Sequence, residues 1–218
     1  MNKREPKRAQ TPGEERANAW THGLGVVFCL VAMPFLLIPA YRTGVPGVYW
    51  GSLAFGLGML MVYISSTLYH AVQDQRLKAN LRVADHISIY FLIAGTYTPL
   101  VANFLPGRQA GIFLLVLWSL VGLGLVFKLL YTDRFKAVSV VLYLIMGWMI
   151  LFIMAPLRQQ VPGDIWWWVI AGGLSYTVGV LFYVRSKVPY FHAVWHCFVL
   201  GGTVTHFVAV YKTMLLSR

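Results

Sequence analysis

Charged residues are unusually scarce in this sequence. Only 11% of its 218 residues are Asp, Glu, Lys or Arg, whereas 58% are hydrophobic. A soluble domain usually carries about 25% charged residues, so the composition excludes a protein made mainly of soluble domains. Cysteine is also scarce: Cys29 and Cys197 are the only two. Both fall in apolar stretches, which excludes a disulfide framework.

The few charges are clustered, and long uncharged or weakly polar stretches separate them. A helix needs roughly 20 apolar residues to cross a bilayer, and seven stretches approach or exceed that length. The sequence therefore predicts an all-α membrane protein, a bundle of seven transmembrane helices with little room for any soluble domain. The predicted spans are 17–41, 43–73, 86–107, 109–127, 137–157, 165–184 and 188–211.

The net charge of +11 is explained by the sidedness of the loops. If the first sixteen residues and every second loop share one side, that side holds 13 of the Lys and Arg residues and the other holds 5. Cytoplasmic loops carry the Lys/Arg excess, so we predict a cytoplasmic N-terminus and an external C-terminus. No compact basic domain remains, so we expect membrane lipids rather than nucleic acid as partners. The first group is Lys3, Arg4, Lys7, Arg8, Arg16, Arg76, Lys78, Arg82, Lys128, Arg134, Lys136, Arg185 and Lys187; the second is Arg42, Arg108, Arg158, Lys212 and Arg218.

The N-terminal residues predict a polar tail followed by one domain. Residues 1–16 form the expected cytoplasmic tail, and residues 17–214 the seven-helix domain. Within the tail, Thr11 followed by Pro12 and Glu14 is typical of a capped helix start, which predicts a short interfacial helix leading into the first span. No cleavable signal peptide is expected, because no small-residue cleavage site follows the first apolar run.

Several histidines and one aspartate are predicted to lie at one depth. His192 and His196 are four residues apart in "YFHAVWHCFVLGG", so they share a face of the seventh span. The predicted topology places His70 at the cytoplasmic end of the second span and Asp85 at the start of the third. His22 lies at the same end of the first span. Ionisable groups in a membrane usually face a protein interior or a watery cavity, which favours a common site.

The other histidines have simpler interpretations. His206 lies fourteen residues after His192, about 21 Å further along a helix, and cannot join this site. A single histidine near a helix end is more often an interfacial group than a ligand, and His22, His86 and His206 are interpreted in that way.

The chemistry of the cluster favours zinc. Three histidines with an open position form a typical catalytic zinc site, and His70, His192 and His196 are the candidate ligands. Asp85 is placed to hold a water molecule or the outer nitrogen of a ligand. Ser66 precedes His70 by one helical turn and is placed to hydrogen-bond a water or a polarised carbonyl. Two histidines on different spans could instead hold a haem.

These residues resemble the haemolysin III family, which is grouped with the progestin and adiponectin receptors and more distantly with the alkaline ceramidases. The resemblance rests on Ser66 to His70 in "SSTLYH", on Asp85 opening the third span, and on His192 to His196. The stretches "EERANAWTHGLG", "DHISIYFLIAGTYTP" and "FKAVSVVLYLIMGW" are also similar. The resemblance covers nearly the whole chain from Glu14 to Tyr211 and implies a bacterial, multi-pass protein of the inner (plasma) membrane.

The resemblance implies a zinc ion held by His70, His192 and His196 inside a seven-helix bundle. It implies that Asp85 and Ser66 act on the water of a hydrolytic reaction, and by analogy with the ceramidases it suggests hydrolysis of an amide.

Three functions remain open at this point. The first is a zinc-dependent hydrolase of a lipid amide or ester, contributing to membrane homeostasis. The second is a receptor-like or homeostasis protein with structural zinc. The third is a lytic, haemolysin-type protein (cytolysis), which would need a continuous charged lumen that the few charges in the spans do not predict.

Overall fold

The computed structural model describes residues 8–132 and 135–216, and this part of the chain is helical, with short connections and no β-strand. A break in the fifth span divides it into two α-helices and a 3₁₀-helix. The elements are α1 (Pro12–Arg42), α2 (Pro46–Ala71), α3 (Gln75–Phe104), α4 (Gly107–Tyr131), α5 (Lys136–Gly147), the 3₁₀-helix Met149–Ile153, α6 (Met154–Arg158), α7 (Gly163–Val184) and α8 (Phe191–Leu216).

The predicted seven-helix membrane architecture is confirmed. In the part of the chain that the structure describes, seven helical segments are long and apolar enough to cross a bilayer, the fifth of them being the composite segment Lys136–Arg158. Many large apolar side chains on the outer faces are exposed, for example Trp20 at 73% and Phe152 at 82%. Such faces suit contact with lipid. The orientation of the termini stays a prediction.

The first helix begins earlier than the predicted span. The Thr11 side chain accepts a hydrogen bond from the Glu14 backbone N–H at 3.2 Å, and the Glu14 carboxylate accepts one from the Thr11 N–H at 2.9 Å. This reciprocal pair is the expected capping box. However, α1 continues without interruption from Pro12 to Arg42, so the separate interfacial helix predicted from the sequence is wrong.

Six of the seven spans surround a central cavity. Helix α2 packs between α1 and α3, and α8 packs between α1 and α7, while α5 lies between α3 and α7. Helix α4 packs on the outside of α3. Glycines allow the close approach of α2 and α3: a Cβ added at Gly58 would lie 2.9 Å from the Phe91 carbonyl oxygen, and one at Gly95 would lie 2.8 Å from the Phe55 Cα.

The fifth span is broken where the sequence predicts an unbroken helix over 137–157. Pro156 has no backbone N–H and its ring crowds the carbonyl of Phe152, so the turns before it tighten into the 3₁₀-helix. Tyr97 on α3 compensates for the break. Its hydroxyl donates to the Gly147 carbonyl at 2.6 Å and accepts from the Ile150 N–H at 3.0 Å. Backbone groups inside a membrane need such internal partners.

Candidate metal centre

Three histidines from two helices meet at one end of the bundle. His70 lies in the last turn of α2, and His192 and His196 lie in the first two turns of α8. One ring nitrogen of each lies within 4.8 Å of the others. The ring centre of His70 is 5.2 Å from each of the other two, and those two are 4.6 Å apart. The structure thus brings together the three side chains proposed from the sequence as metal ligands.

The start of α8 is held in place by the start of α1. Tyr190, directly before the helix, has a left-handed backbone conformation with φ of 63°. Its N–H donates to the Glu14 carboxylate at 3.0 Å, and the same carboxylate is paired with Arg8. This contact fixes where α8 begins, and therefore where His192 and His196 lie relative to α1.

Glu15 orients His70. The Nδ1 of His70 lies 2.7 Å from a Glu15 carboxylate oxygen, and the other carboxylate oxygen lies 3.0 Å from the Lys78 ammonium. Since a carboxylate only accepts, the Nδ1–H donates and the Nε2 keeps its lone pair. That Nε2 is buried and has no hydrogen-bond partner in the described residues. A histidine held by a carboxylate in this way is typical of a metal ligand.

The backbone of α1 orients His196 in the same manner. The Nδ1 of His196 lies 3.2 Å from the Asn18 carbonyl oxygen and 3.1 Å from the Thr21 hydroxyl. The Thr21 proton is directed to α1 carbonyls, so both oxygens accept from the Nδ1–H. The Nε2 of His196 is then the nitrogen with a lone pair. Two of the three histidines are therefore held in a tautomer that leaves the Nε2 lone pair open to a metal ion.

The sequence alone gives no role to Glu15 and Asn18, which hold these histidines. Glu15, Asn18 and His22 are spaced three and four residues apart, which puts them on one face of α1. That spacing was the available signal. It marks a polar stripe on an apolar helix, but it does not identify the histidine that each residue contacts.

Asp85 and Ser66 lie near His70. The Asp85 carboxylate is close enough to interact with both the Ser66 hydroxyl and the His70 ring. The Ser66 Oγ is buried and makes no hydrogen bond of ordinary length to the described residues. Asp85 lines the central cavity together with His70, His192 and His196. Their catalytic roles stay predictions.

The interpretation of His22 and His86 as interfacial groups is wrong, because both are buried, at 3% and 9% exposure. The His22 ring stacks on His196 with centroids 3.6 Å apart, and both of its nitrogens lack partners in the described part of the chain. Helix packing, which spacing does not reveal, turns these side chains inward. His206 is separate from the cluster, as predicted, but it too faces the interior and contacts the Val169 carbonyl oxygen at 3.0 Å.

A cavity of about 1100 Å³ extends from the histidines along the bundle axis. Charged side chains line the end that holds the histidines. Aliphatic and aromatic side chains from α3, the 3₁₀-helix, α7 and α8 line the remainder, which reaches Trp166 and His206. A cavity of this kind suits an elongated apolar ligand with a polar group near the histidines.

The donor set fits a metal ion. Three neutral imidazoles, two of them already oriented through their outer nitrogens, match the ligands that zinc takes in catalytic sites. The buried Nε2 of His70 has no protein partner among the described residues, which is costly unless a ligand completes it. The arrangement defines the class: a multi-pass membrane protein with a buried three-histidine centre.

Comparison with known proteins identifies the family of the chain. The model of the family described as "Haemolysin-III related" matches residues 11–207, and the chain belongs to this family. It is 41% identical over 197 residues to "Hemolysin-3 homolog" of Bacillus subtilis (strain 168), covering 90% of this chain and 92% of that protein.

Two further relatives are similar over their length. "Hemolysin-3" of Bacillus cereus is 36% identical over 210 residues, with 96% of each chain covered. "Monocyte to macrophage differentiation factor" of Homo sapiens is 28% identical over 228 residues, covering all of this chain and 92% of that protein. No solved structure matches. The spans and the family confirm a multi-pass membrane protein, and the bacterial relatives indicate the plasma membrane.

Proposed function

We propose that this protein is a zinc-dependent hydrolase that acts within the membrane on a lipid amide or ester and so contributes to membrane homeostasis. The proposal rests mainly on one observation. Three histidines are arranged as metal ligands, and a long, mostly apolar cavity starts at them. The cavity provides space for an acyl chain, and the histidines lie where its carbonyl group would be.

His70, His192 and His196 are the proposed zinc ligands. A zinc ion held there would polarise a carbonyl and make a water molecule a better nucleophile at neutral pH. Glu15 and the Asn18 carbonyl keep His70 and His196 in the required tautomer. Imidazole suits other divalent ions also, so metal analysis of the purified protein is the direct test of the ion's identity.

The other polar residues have roles that follow from their positions. The Asp85 carboxylate is placed to accept a proton from the attacking water and to return it to the leaving group. The Ser66 hydroxyl is buried and interacts with the Asp85 carboxylate, and its proposed role is to contact the attacking water or an oxygen of the substrate. The apolar part of the cavity binds the chain and keeps bulk water from the reaction.

Lysis is a weaker candidate, although the names of the Bacillus relatives include hemolysin. A lytic pore needs a polar lumen along its whole length, whereas the charged residues that line this cavity are confined to the end with the histidines. They are Arg8, Glu15, Lys78, Arg82, Asp85, Lys136 and Lys187. The main alternative function is a receptor-like protein with structural zinc. A substitution of Asp85 distinguishes this function from that of a hydrolase.

The test is the substitution Asp85→Asn, which keeps the shape of the side chain but removes the base. A general base typically contributes roughly 10²–10⁴ in rate, while losing a neighbour of a metal ligand costs about 10–100-fold in metal affinity. We therefore expect a variant that folds and retains zinc but loses its effect on membrane lipids. Zinc content, melting temperature and the lipid composition of expressing cells are measured for each variant.

The matched control is Asp164→Asn. Asp164 is exposed and pairs with Lys212 at 2.6 Å, far from the histidines, so lipid turnover should remain normal. Normal turnover in Asp85→Asn would remove Asp85 from the chemistry and favour the receptor-like function. Loss of zinc together with turnover would make Asp85 a fourth ligand and the site a structural one.

A further inference from the structure

One face of α8 lines the cavity from end to end. His192, His196, Val199 and His206 are four, three and seven residues apart, which keeps them on one face of the helix, and all four line the cavity. His206 is ten residues beyond His196, so it lies about 15 Å further along the helix axis. The cavity thus also has a histidine, His206, at the end away from the cluster.

The ring of His206 is held in one tautomer. Its Nε2 lies 3.0 Å from the Val169 carbonyl oxygen on α7, and since a carbonyl only accepts, the Nε2–H donates. The Nδ1 therefore carries a lone pair. That Nδ1 is buried and has no hydrogen-bond partner among the residues described. An unsatisfied buried acceptor costs free energy, and a donor on a ligand would complete it.

The ring of Tyr176 lies next to the ring of His206. The rings of Tyr176 and His206 are 5.5 Å apart between centroids, and both residues line the cavity. The Tyr176 and Thr203 hydroxyls lie 2.8 Å apart, and either can donate to the other; the Thr203 hydroxyl accepts from Tyr63 at 2.7 Å. With one contact made, the Tyr176 hydroxyl keeps further hydrogen-bonding capacity.

Two glycines leave the space that these rings occupy. A Cβ added at Gly172 would lie 2.2 Å from the His206 ring, and one added at Gly202 would lie 2.7 Å from the Tyr176 ring. Each ring therefore packs directly against helix backbone on the neighbouring helix. Any other residue at these positions would displace the ring, so the local sequence is suited to hold both rings at the cavity.

We propose that Tyr176 and His206 form a subsite for a hydroxyl group on the distal part of a ligand's acyl chain. A hydroxyl both donates and accepts, so it matches the lone pair of His206 and the hydroxyl of Tyr176 together. The proposal rests on the proposed function in one respect: the carbonyl end of the same ligand lies at His70, His192 and His196. The preferred substrate class is then a lipid whose acyl chain carries a hydroxyl far from the carbonyl.

The distance between the histidine cluster and His206 determines which ligands can test the subsite. About 15 Å is close to the extended length of a dodecanoyl chain, so ω-hydroxydodecanoic acid would place its hydroxyl at the subsite when its carboxylate lies at the histidines. Dodecanoic acid is the matched probe without the hydroxyl. Both are titrated into purified, zinc-loaded full-length protein in detergent, and the ratio of the two dissociation constants is the readout.

We expect the wild-type protein to prefer the hydroxylated acid by about two- to tenfold, the range of one net hydrogen bond. The preference should be lost in His206→Leu and in Tyr176→Phe, two variants that remove the subsite independently. Tyr143→Phe is the control. Tyr143 also lines the cavity, but its hydroxyl donates to the His86 carbonyl at 2.8 Å, and its removal should keep the preference.

The outcomes separate this proposal from the hydrolase. Equal binding of the two acids by the wild-type protein would overturn the subsite, as would a preference that persists in both subsite variants or a failure to bind either acid. Metal-dependent lipid turnover without a hydroxyl preference would leave the hydrolase standing and the subsite rejected. A hydroxyl preference in a protein that hydrolyses no lipid would support the subsite and reject the hydrolase.

Discussion

At the scale of the residue, the main question is how imidazoles are tolerated inside a membrane protein. Buried polar groups are costly unless they are hydrogen-bonded. The outer nitrogens of His70 and His196 meet Glu15, the Asn18 carbonyl and Thr21, while the buried Nε2 of His70 remains without a partner in the described residues. A hydrogen-bonded outer nitrogen and an open inner nitrogen are together what a metal ligand needs.

Glu15 should therefore control metal affinity without being a ligand. Glu15→Gln removes the negative charge that makes His70 a stronger ligand, and a change of this kind typically costs about 10–100-fold in affinity. We expect the variant to bind zinc more weakly by that factor, as measured by competition with a chelator of known affinity.

Two further variants serve as references for the zinc affinity of Glu15→Gln. His196→Ala removes a proposed ligand and should lose zinc almost completely. Lys78→Met removes the other contact of the same carboxylate, 3.0 Å from Glu15, and should change zinc affinity by less than Glu15→Gln does. An affinity in Glu15→Gln equal to that of the wild type would mean that Glu15 does not support a metal ligand.

At the scale of the element, glycines set how closely α2 approaches α3, the two helices that carry His70 and Asp85. A Cβ at Gly58 would lie 2.9 Å from the Phe91 carbonyl oxygen, and backbone cannot move aside as a flexible side chain can. Gly58→Ala should therefore push the helices apart and lower the free energy of unfolding by about 1–3 kcal/mol.

Gly111→Ala is the matched substitution on α4. Nothing lies within 4 Å of a Cβ at Gly111, so helix propensity dominates and the change should stabilise the protein by up to about 1 kcal/mol. Melting temperatures in the same detergent give the comparison. A melting temperature for Gly58→Ala equal to or above that of Gly111→Ala would contradict the close packing of α2 on α3.

Hydropathy and helical spacing were sufficient to predict the seven spans and the common depth of His70, His192 and His196. Hydropathy and helical spacing can each be read from the sequence of a single helix. The contacts from Glu15 to His70 and from Tyr97 to the broken fifth span depend on how each helix is rotated towards its neighbour. The apolar run over 137–157 hides its break because apolar residues occupy the tightened turns, and Pro156 alone does not show where a compensating hydroxyl will come from.

At the scale of the whole molecule, the basic residues of the cavity and the histidine cluster lie at the same end of the bundle. The basic residues that line the cavity lie at the end with the histidines, including Lys78 and Lys136 at the starts of α3 and α5. Under the predicted orientation this end faces the cytoplasm. Polar products would then leave towards the cytoplasm, while the apolar part of a substrate would lie in the half of the bundle nearer the outside.

The orientation can be tested with reporter fusions. Seven spans place the two termini on opposite sides, and the excess of Lys and Arg, 13 against 5, predicts a cytoplasmic N-terminus. A phosphatase that is active only outside the cytoplasmic membrane should therefore be active when fused after Arg218. The same enzyme fused after Gln73, in the connection between α2 and α3, should be inactive, because that connection belongs to the basic side. An inactive but stably expressed fusion at Arg218, or an active one at Gln73, would reverse the orientation and place the histidine cluster at the outer end of the bundle.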